Sequence, residues 1–311
     1  MPWRQVLDLF DILDHPKADG QAASQVLRQH GVDRIEVHRV NGRNGRTDFI
    51  KVTIPGGRGR SAGGASPTLG VIGRLGGIGA RPSSVGFVSD GDGALVALAV
   101  AAKLGSMARA GDTLLGDVIV ATHICPDAPV RPHSPVPFMS SPVDMRTMNA
   151  YEVSTSMDAL LSVDTTRGNR IYNHPGFAIS PTVREGWILR VSENLLDIQQ
   201  QVTGRVAATL PITMQDITPY EDGVYHLNSI MQPSTATAAP VVGVALTAQV
   251  PVAGSASGAT NLADVEQAAR FCVEVAKSYG AGELAFYDPS EFARLVSLYG
   301  PMHRLQGVRD Q

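Results

Sequence analysis

Ionisable side chains follow four predicted strands at the points where the strands end. They are Arg74, Asp90 with Asp92, His123 with Asp127, and Asp164. The strands are apolar and alternate with helices, which favours a mostly parallel sheet covered on both faces. Ligands of such sheets bind beyond the carboxyl ends of the strands. The sequence therefore predicts a functional site assembled from these strand ends.

The motif Asp90-Gly91-Asp92-Gly93 follows a predicted strand and opens an apolar helix. One interpretation makes Asp90 a metal ligand or the holder of a catalytic base. In the other, one aspartate caps the helix and the second interacts with the helix dipole. A calcium loop of the EF-hand type does not fit, because Ala94 stands at its fifth position.

The segment VIVATHICPD, residues 118–127, places His123, Cys125 and Asp127 at alternating positions after a buried strand. Histidine and carboxylate ligands suit zinc, manganese or cobalt. A thiol beside an imidazole is also a possible nucleophile. The alternative is a turn fixed by proline, with a hydrogen-bonded histidine and an inert buried thiol. Asp164 likewise either caps a turn or serves a site, and His226 is a weaker candidate.

Composition excludes several functions. There are 26 Lys and Arg residues against 29 Asp and Glu, a formal charge of −3, which argues against nucleic-acid or anionic-membrane binding. The glycines of residues 73–79 do not follow the dinucleotide-loop spacing and no Walker motif occurs, so no nucleotide cofactor is expected. A serine-hydrolase elbow is also absent. Cys125 and Cys272 form no disulfide framework, and the longest apolar run, residues 94–102, is about half of a membrane span, so we expect a cytoplasmic protein.

The pattern along the chain predicts one α/β domain over residues 1–311. Two helices are expected within residues 3–30, then a strand pair at 35–37 and 50–54, and a mobile glycine-rich loop at 56–65. Further strands are predicted at 68–73, 86–89, 118–122, 160–164, 176–179, 210–213 and 241–248, and helices at 93–108, 193–202, 263–279 and 289–299. The proline-rich residues 126–148 exclude a helix and suggest a surface excursion, either a lid or a dimer arm.

The strand-end residues together resemble the zinc-dependent exopeptidase fold, especially the cocatalytic-metal aminopeptidases of the glutamyl and deblocking type. The order of residues 73–79, Asp90, Pro126-Asp127, Asp164 and residues 175–179 is similar over roughly residues 67–280. The resemblance implies a three-layer α/β/α fold with a mixed, mostly parallel sheet, of the phosphorylase/hydrolase-like kind. It also implies a homo-oligomer and a small-molecule or short-peptide ligand. As a whole, the chain also resembles a bacterial and archaeal family known only as a domain of unknown function, which implies no activity.

The sequence departs from the aminopeptidase pattern at the ligands. Arg74 stands at the first metal-histidine position, Gly76 at its supporting aspartate, and Pro126 at the general-base glutamate, while small residues near Gly254 replace the final histidine. The resemblance therefore implies a rebuilt site with one divalent metal, either zinc, manganese or cobalt. Its candidate metal ligands are Asp90, Asp127, Asp164, His123 and His226, and its candidate catalytic residues are His123, Asp127, Arg74 and Cys125.

Three functions remain open at this point. The first is hydrolysis of amide or peptide bonds by a metal-activated water, with a carboxylate or His123 handling the proton. Arg74 then holds a substrate carboxylate or replaces the charge of the lost metal. The second is non-catalytic binding of a small amino-acid-like or peptide ligand. The third is a metal-free thiol site formed by Cys125 and His123.

Overall fold

The strand and helix bounds come from a computed structural model, which describes residues 1–43, 45–74, 86–132, 138–212, 228–254, 259–303 and 306. The strands are β1 (Ile35–Gly42), β2 (Gly45–Ile54), β3 (Leu69–Gly73), β4 (Val118–Ile124), β5 (Val130–Arg131), β6 (Phe138–Met139), β7 (Ala159–Thr165), β8 (Gly176–Ile179), β9 (Val183–Arg184), β10 (Trp187–Ile188) and β11 (Val241–Thr247). The helices are α1 (Trp3–Leu13), α2 (Gly20–Gln29), α3 (Asp92–Arg109), α4 (Met145–Glu152), α5 (Glu193–Thr203), α6 (Leu262–Gly280) and α7 (Pro289–Tyr299).

Nine of the described strands form a mixed sheet in the order β1-β2-β4-β3-β7-β11-β9-β10, in which β8 also pairs with β11. The short strands β5 and β6 pair separately with each other. Its four central strands, β4, β3, β7 and β11, are parallel to one another. The outer strands β1, β2, β8 and β9 run antiparallel to their neighbours. The predicted α/β fold with a mixed, mostly parallel sheet is confirmed.

Helices α1, α2, α3, α5 and α6 cover one face of the sheet, where their apolar side chains join one core. Helix α3 lies between the sheet and helices α1, α2 and α6. A helix that is enclosed in this way needs no polar face, and α3 is correspondingly apolar around most of its surface. By length and composition, Ser89–Arg109 is the one described helix that would suffice to cross a membrane, yet 83% of its most apolar window is buried inside the protein. Its apolarity is therefore explained by its position in the core of the fold.

Among the described residues, α4 and a short 3-10 helix, Ser229–Thr235, pack on the second face of the sheet. Ile230 and Met231 of this 3-10 helix pack with Ile72 and Leu160 of the sheet. Met145 and Met148 of α4 pack on Phe49 of β2. Side chains that point to this face therefore lie under α4 and the 3-10 helix.

Most predicted elements are confirmed, including the two N-terminal helices, the β1–β2 pair and helices α3, α5, α6 and α7. The strand predicted at 86–89 is wrong. Gly86 has a positive φ of 98°, and the chain turns through the 3-10 helix Ser89–Gly91 directly into α3. The strand predicted at 210–213 is also wrong in its described part, since residues 210–212 belong to no strand. The residue before them, Thr209, forms an isolated bridge with Ile179.

The prediction that residues 126–148 exclude a helix is wrong at their carboxyl end. The last proline of the stretch is Pro142, and Asp144 then caps α4 by accepting a hydrogen bond from the Thr147 amide. The helix that follows runs to Glu152. This helix carries Asn149 and Glu152, two polar side chains that were not among the predicted site residues.

The glycine-rich residues 56–65, predicted to be a mobile loop, are held in place instead. The amides of Gly56 and Ser61 both donate to the carboxylate of Asp117, each at 2.8 Å. Arg60 reaches Asp158 at 2.7 Å and so ties the loop to the start of β7. Composition alone missed these long-range bonds, because their acceptors lie more than fifty residues away.

Candidate functional site

Three of the predicted site residues form a row at the carboxyl ends of the central strands. Gly73 of β3 pairs with Thr122 of β4 and with Val163 of β7, so the residues that follow them stand side by side. These residues are His123, Arg74 and Asp164. The Arg74 amide continues the ladder by donating to the Val163 carbonyl at 2.8 Å. Neighbouring strands lie about 4.8 Å apart, so the sheet itself brings the three side chains together.

The row faces α4 rather than α3. Side chains along a strand alternate between the faces, and Ile72, two residues before Arg74, belongs to the core on the α4 side. Arg74 and His123 are each 1% exposed, and Asp164 is fully buried. Charged groups so deeply enclosed require partners, because burial of an isolated charge is costly.

Glu152, the last residue of α4, is the shared partner of His123 and Arg74. Its Oε1 lies 2.6 Å from Nδ1 of His123, and its Oε2 lies 3.3 Å from Nη1 of Arg74. Glu152 itself is fully buried. A carboxylate accepts hydrogen bonds, so in the neutral form of His123 the proton lies on Nδ1 and Nε2 keeps a lone pair. Within the described part of the chain, Nε2 has no hydrogen-bond partner.

Arg74 is also held by Asn149, one turn before Glu152 on α4. Nη2 of Arg74 donates to Oδ1 of Asn149, and Nδ2 of Asn149 donates to Oγ1 of Thr235 at 3.4 Å. Nε and Nη1 of Arg74 have no hydrogen-bond acceptor among the described residues. Nη1 is close enough to Glu152 for an ion pair, but without the geometry of a hydrogen bond. Unsatisfied donors on a buried guanidinium mark a position where a ligand atom fits.

Asp164 supports the local backbone and the 3-10 helix. Its Oδ1 accepts from the amide of Thr165 at 2.7 Å, and its Oδ2 accepts from the hydroxyl of Ser229 at 3.2 Å. The first contact is local, to the amide of the next residue, which is the last residue of β7. Asp164 therefore fixes the end of β7 and anchors Ser229 on the second face.

A second charged network joins the N-termini of α3 and α6. Arg167 lies two residues beyond β7, and its Nε is 3.2 Å from Oδ2 of Asp92, at the start of α3. Its Nη2 is 3.1 Å from Oδ2 of Asp264, in the first turn of α6, and its Nη1 donates to the Thr247 carbonyl at 2.8 Å. Burial raises the pKa of Asp92 to about 7, although Arg167 opposes the shift.

Asp90 stands half-buried beside this network, just before α3. Its amide donates to the Gly254 carbonyl at 3.2 Å, and a side chain at position 254 would collide with its carboxylate. Burial and the negative charge of Asp92 raise the pKa of Asp90 to about 7. Asp90 and Asp92 thus form a close carboxylate pair, with Asp92 bound to Arg167.

Cys125 and Asp127 lie in environments that do not favour the catalytic roles predicted for them. Cys125 is 1% exposed among Val88, Ala128 and Met139, and burial raises its pKa to about 12. The thiolate is the nucleophilic form, so this environment disfavours a thiol mechanism. Asp127 is exposed in the turn that follows β4. His226 lies outside the described residues.

Comparison with known proteins places the chain in a family. The family model described as "Protein of unknown function (DUF1177)" matches residues 38–309, which span the sheet from β1 and include α7. The chain belongs to this family. The predicted resemblance to a family of unknown function is thereby confirmed, and the family description assigns no activity. No curated protein matches the sequence.

Two solved structures from Legionella pneumophila resemble this DUF1177 chain at a distance. One is titled as LapA aminopeptidase, with 11% identity, a TM-score of 0.47, and coverage of 92% of this chain and 71% of that one. The other is titled as LapA, with 12% identity, a TM-score of 0.44, and coverage of 92% and 72%. Likenesses this distant carry no conclusion about the site.

The donor set described for this DUF1177 chain does not fit a divalent metal. Among the residues whose positions are described, no three His, Cys, Asp or Glu side chains lie together as a metal site requires. Between His123 and Asp164 in the row stands Arg74, a fixed cation that repels a metal ion. The carboxylate of Glu152, which contacts His123, is also within ion-pair distance of Arg74.

Of the residues predicted for this DUF1177 site, His123, Arg74 and Asp164 are brought together, whereas Asp90 lies with Asp92 at the start of α3. Four residues of the two charged networks were not predicted from the sequence: Glu152, Asn149, Arg167 and Asp264. The sequence did contain a signal for Glu152 and Asn149. Positions 145, 148, 149 and 152 have the spacing of one helix face, which would place both polar side chains beside the two methionines.

Proposed function

We propose that the protein hydrolyses amide or peptide bonds in small amino-acid-like substrates, with His123 as the general base. The observation that carries this proposal is the 2.6 Å contact between Nδ1 of His123 and Oε1 of Glu152. A carboxylate that fixes the tautomer of a histidine leaves the other ring nitrogen free to accept a proton. This pair stands at the carboxyl ends of parallel strands, the usual place for a site in such a sheet.

In this proposal, Nε2 of His123 takes a proton from a water molecule as its oxygen attacks the carbonyl carbon of the substrate. The carbonyl oxygen becomes an oxyanion, and the imidazolium is stabilised by Glu152. The imidazolium then returns the proton to the leaving nitrogen as the C–N bond breaks. The products are a carboxylic acid and an amine, and His123 regains its neutral form.

Arg74 serves as the fixed cation of the site. Its Nε and Nη1 have no acceptor among the described residues, and they are suited to receive the negative oxygen that develops during attack. A guanidinium is always positively charged in proteins. Arg74 therefore supplies the positive charge that a metal ion supplies in metal-dependent amide hydrolysis. This role follows the sequence-based alternative in which Arg74 replaces the charge of a lost metal.

The test is release of amine from a panel of dipeptides and N-acyl amino acids, followed by chromatography. We expect His123→Gln to lower the rate by roughly 100-fold to 10,000-fold, the usual contribution of a general base. The matched control is His303→Gln, because His303 is exposed and remote from the row in sequence and contacts. Equal rates for His123→Gln and the wild type would overturn the proposal.

A second candidate is non-catalytic binding of a small amino-acid-like or peptide ligand. It is supported by Nε and Nη1 of Arg74, which have no acceptor among the described residues and suit an anionic ligand group whether or not a bond is broken. The binder predicts that amino acids or dipeptides raise the melting temperature while chromatography detects no product. Turnover of any substrate in the panel decides for the hydrolase.

We also propose an oligomeric state and a cellular location for the protein. A homo-oligomer is proposed, and light scattering that gives a monomer at micromolar concentration would exclude it. A reducing, cytoplasmic location is proposed because Cys125 and Cys272 are both buried and unpaired. Fractionation of cells that express the tagged protein tests the location.

A further inference from the structure

We infer that Asn149 is a positioning residue, locked by Thr235, which keeps Arg74 from taking Glu152 away from His123. The inference rests on the proposed function for its catalytic consequence. The structural part stands on its own contacts, which form a continuous chain from the 3-10 helix to His123. Each link in this chain joins side chains that are at least nine-tenths buried.

The first link fixes the hydroxyl group of Thr235. This hydroxyl donates to the Gln232 carbonyl at 2.7 Å, so its proton is committed within the 3-10 helix. A hydroxyl that already donates offers only its lone pairs to other partners. Thr235 can therefore accept from Asn149, but it cannot donate to it.

The second link fixes the side-chain amide of Asn149. Because Thr235 only accepts, the NH₂ group of Asn149 must face it, and the 3.4 Å contact between Nδ2 and Oγ1 has this arrangement. The amide oxygen then points the other way, towards Nη2 of Arg74. The orientation of the Asn149 amide is thus set by the Gln232 carbonyl, which acts through the hydroxyl of Thr235.

The third link concerns the competition for Glu152. A guanidinium prefers to bind both oxygens of a carboxylate at once. Here Arg74 reaches only Oε2, at 3.3 Å, while Oε1 remains with Nδ1 of His123 at 2.6 Å. The bond from Nη2 to Asn149 holds the guanidinium in this position. Without it, Arg74 is free to take both oxygens of Glu152 and to leave His123 without its orienting partner.

Two matched substitutions test the lock. Thr235→Val removes the hydroxyl and keeps the shape of the side chain, whereas Thr235→Ser keeps the hydroxyl. The control is Thr237→Val, in the same region but outside the chain of contacts to Arg74. The substrate-free readout is the ¹H–¹⁵N signal of the His123 Nδ1–H proton, which a short bond to a carboxylate shifts downfield and protects from exchange.

We expect this signal to persist in the wild type, in Thr235→Ser and in Thr237→Val, and to be lost or displaced in Thr235→Val. With an active substrate, Thr235→Val should lower kcat roughly 10-fold to 100-fold with little change in KM, as expected for a misplaced catalytic group. Should Thr235→Val not fold, Asn149→Ala removes both bonds of the amide and is expected to give the same loss.

The outcomes separate the two proposals. An unchanged His123 signal in folded Thr235→Val or Asn149→Ala overturns the lock, whatever the activity. A wild type without turnover, together with a His123 signal that depends on Thr235, contradicts the hydrolase and supports the lock. Rescue of signal and kcat by Thr235→Ser supports both.

Discussion

Gly73 and Gly93 hold β3 and α3 in backbone contact at the end of the sheet that carries Arg74. A Cβ atom at Gly93 would lie 2.6 Å from the carbonyl oxygens of both Arg74 and Val163. A Cβ atom at Gly73 would lie 2.4 Å from the Gly93 carbonyl oxygen. Neither contact can relax by a side-chain rotation, because the atoms involved belong to the backbone. The pair of glycines therefore sets how closely the helix approaches the strand ends.

The first prediction follows from this contact. Gly93→Ala should lower the free energy of unfolding by roughly 1–3 kcal/mol, the usual cost of forcing an extra carbon into a packed interior. Chemical denaturation measures it. Gly57→Ala is the control, since a Cβ atom there would meet its nearest neighbour only at 3.8 Å. Equal stability of the two variants would show that α3 shifts without cost.

The second prediction concerns the carboxylate pair at the start of α3. Burial raises the pKa values of Asp90 and Asp92 to about 7, from an ordinary value of 3.8. The folded protein therefore binds protons between about pH 4 and pH 7 that the unfolded chain has released. The contribution of this pair to the free energy of unfolding should thus fall as the pH rises through that window, and level off above it.

Urea denaturation between pH 5 and pH 8 tests this dependence. Asp90→Asn should flatten the slope and be more stable than the wild type at pH 8, because the amide carries no charge beside Asp92. The effect is moderated by Arg167, which attracts Asp92, and reinforced by Asp264, which repels it. Asp127→Asn, at an exposed position, is the control. A slope that survives in Asp90→Asn unchanged would contradict the account.

The third prediction concerns the thiols. Burial raises the pKa of Cys125 to about 12 and that of Cys272 further still. Because only the thiolate reacts quickly, a disulfide reagent at pH 8 should modify neither cysteine in the native protein. Both should react after denaturation. Rapid modification of Cys125 in the native state would restore the thiol site as a candidate.

The fourth prediction concerns the place of Arg74 in the row. If its charge excludes a metal ion, Arg74→His should raise zinc affinity by placing an imidazole between His123 and Asp164. Metal content after zinc incubation and desalting, measured by mass spectrometry, tests this. Arg190→His, at an exposed surface position, is the control. A wild type that already holds one ion per chain would contradict the view of Arg74 as the replacement for a metal.

The row of His123, Arg74 and Asp164 could be predicted from sequence because strand ends are readable from apolar runs and their termination. Helices α6 and α7 could be predicted for a similar reason, since apolar residues recur on one face of α6 up to Gly280 and Asp288 caps the first turn of α7. These are local signals, carried by residues within a few positions of the feature that they define.

Glu152 and Arg167 could not be predicted, because their roles depend on contacts remote in sequence. Glu152 meets His123 across 29 positions, by way of a helix that begins directly after the prolines. Arg167 meets Asp264 across 97 positions. The false strand at 86–89 has the same origin, since Phe87 donates its amide to Asp14 rather than to a neighbouring strand.

The measurement that tests the central claim most directly is the kcat of Glu152→Gln on the best substrate of the panel. Glutamine keeps the shape of the side chain, but it does not hold the His123 tautomer or stabilise the imidazolium as a carboxylate does. Thermal melting confirms that the variant is folded. The account predicts a loss of about 100-fold or more in kcat with KM nearly unchanged. A folded Glu152→Gln that keeps wild-type kcat would contradict it.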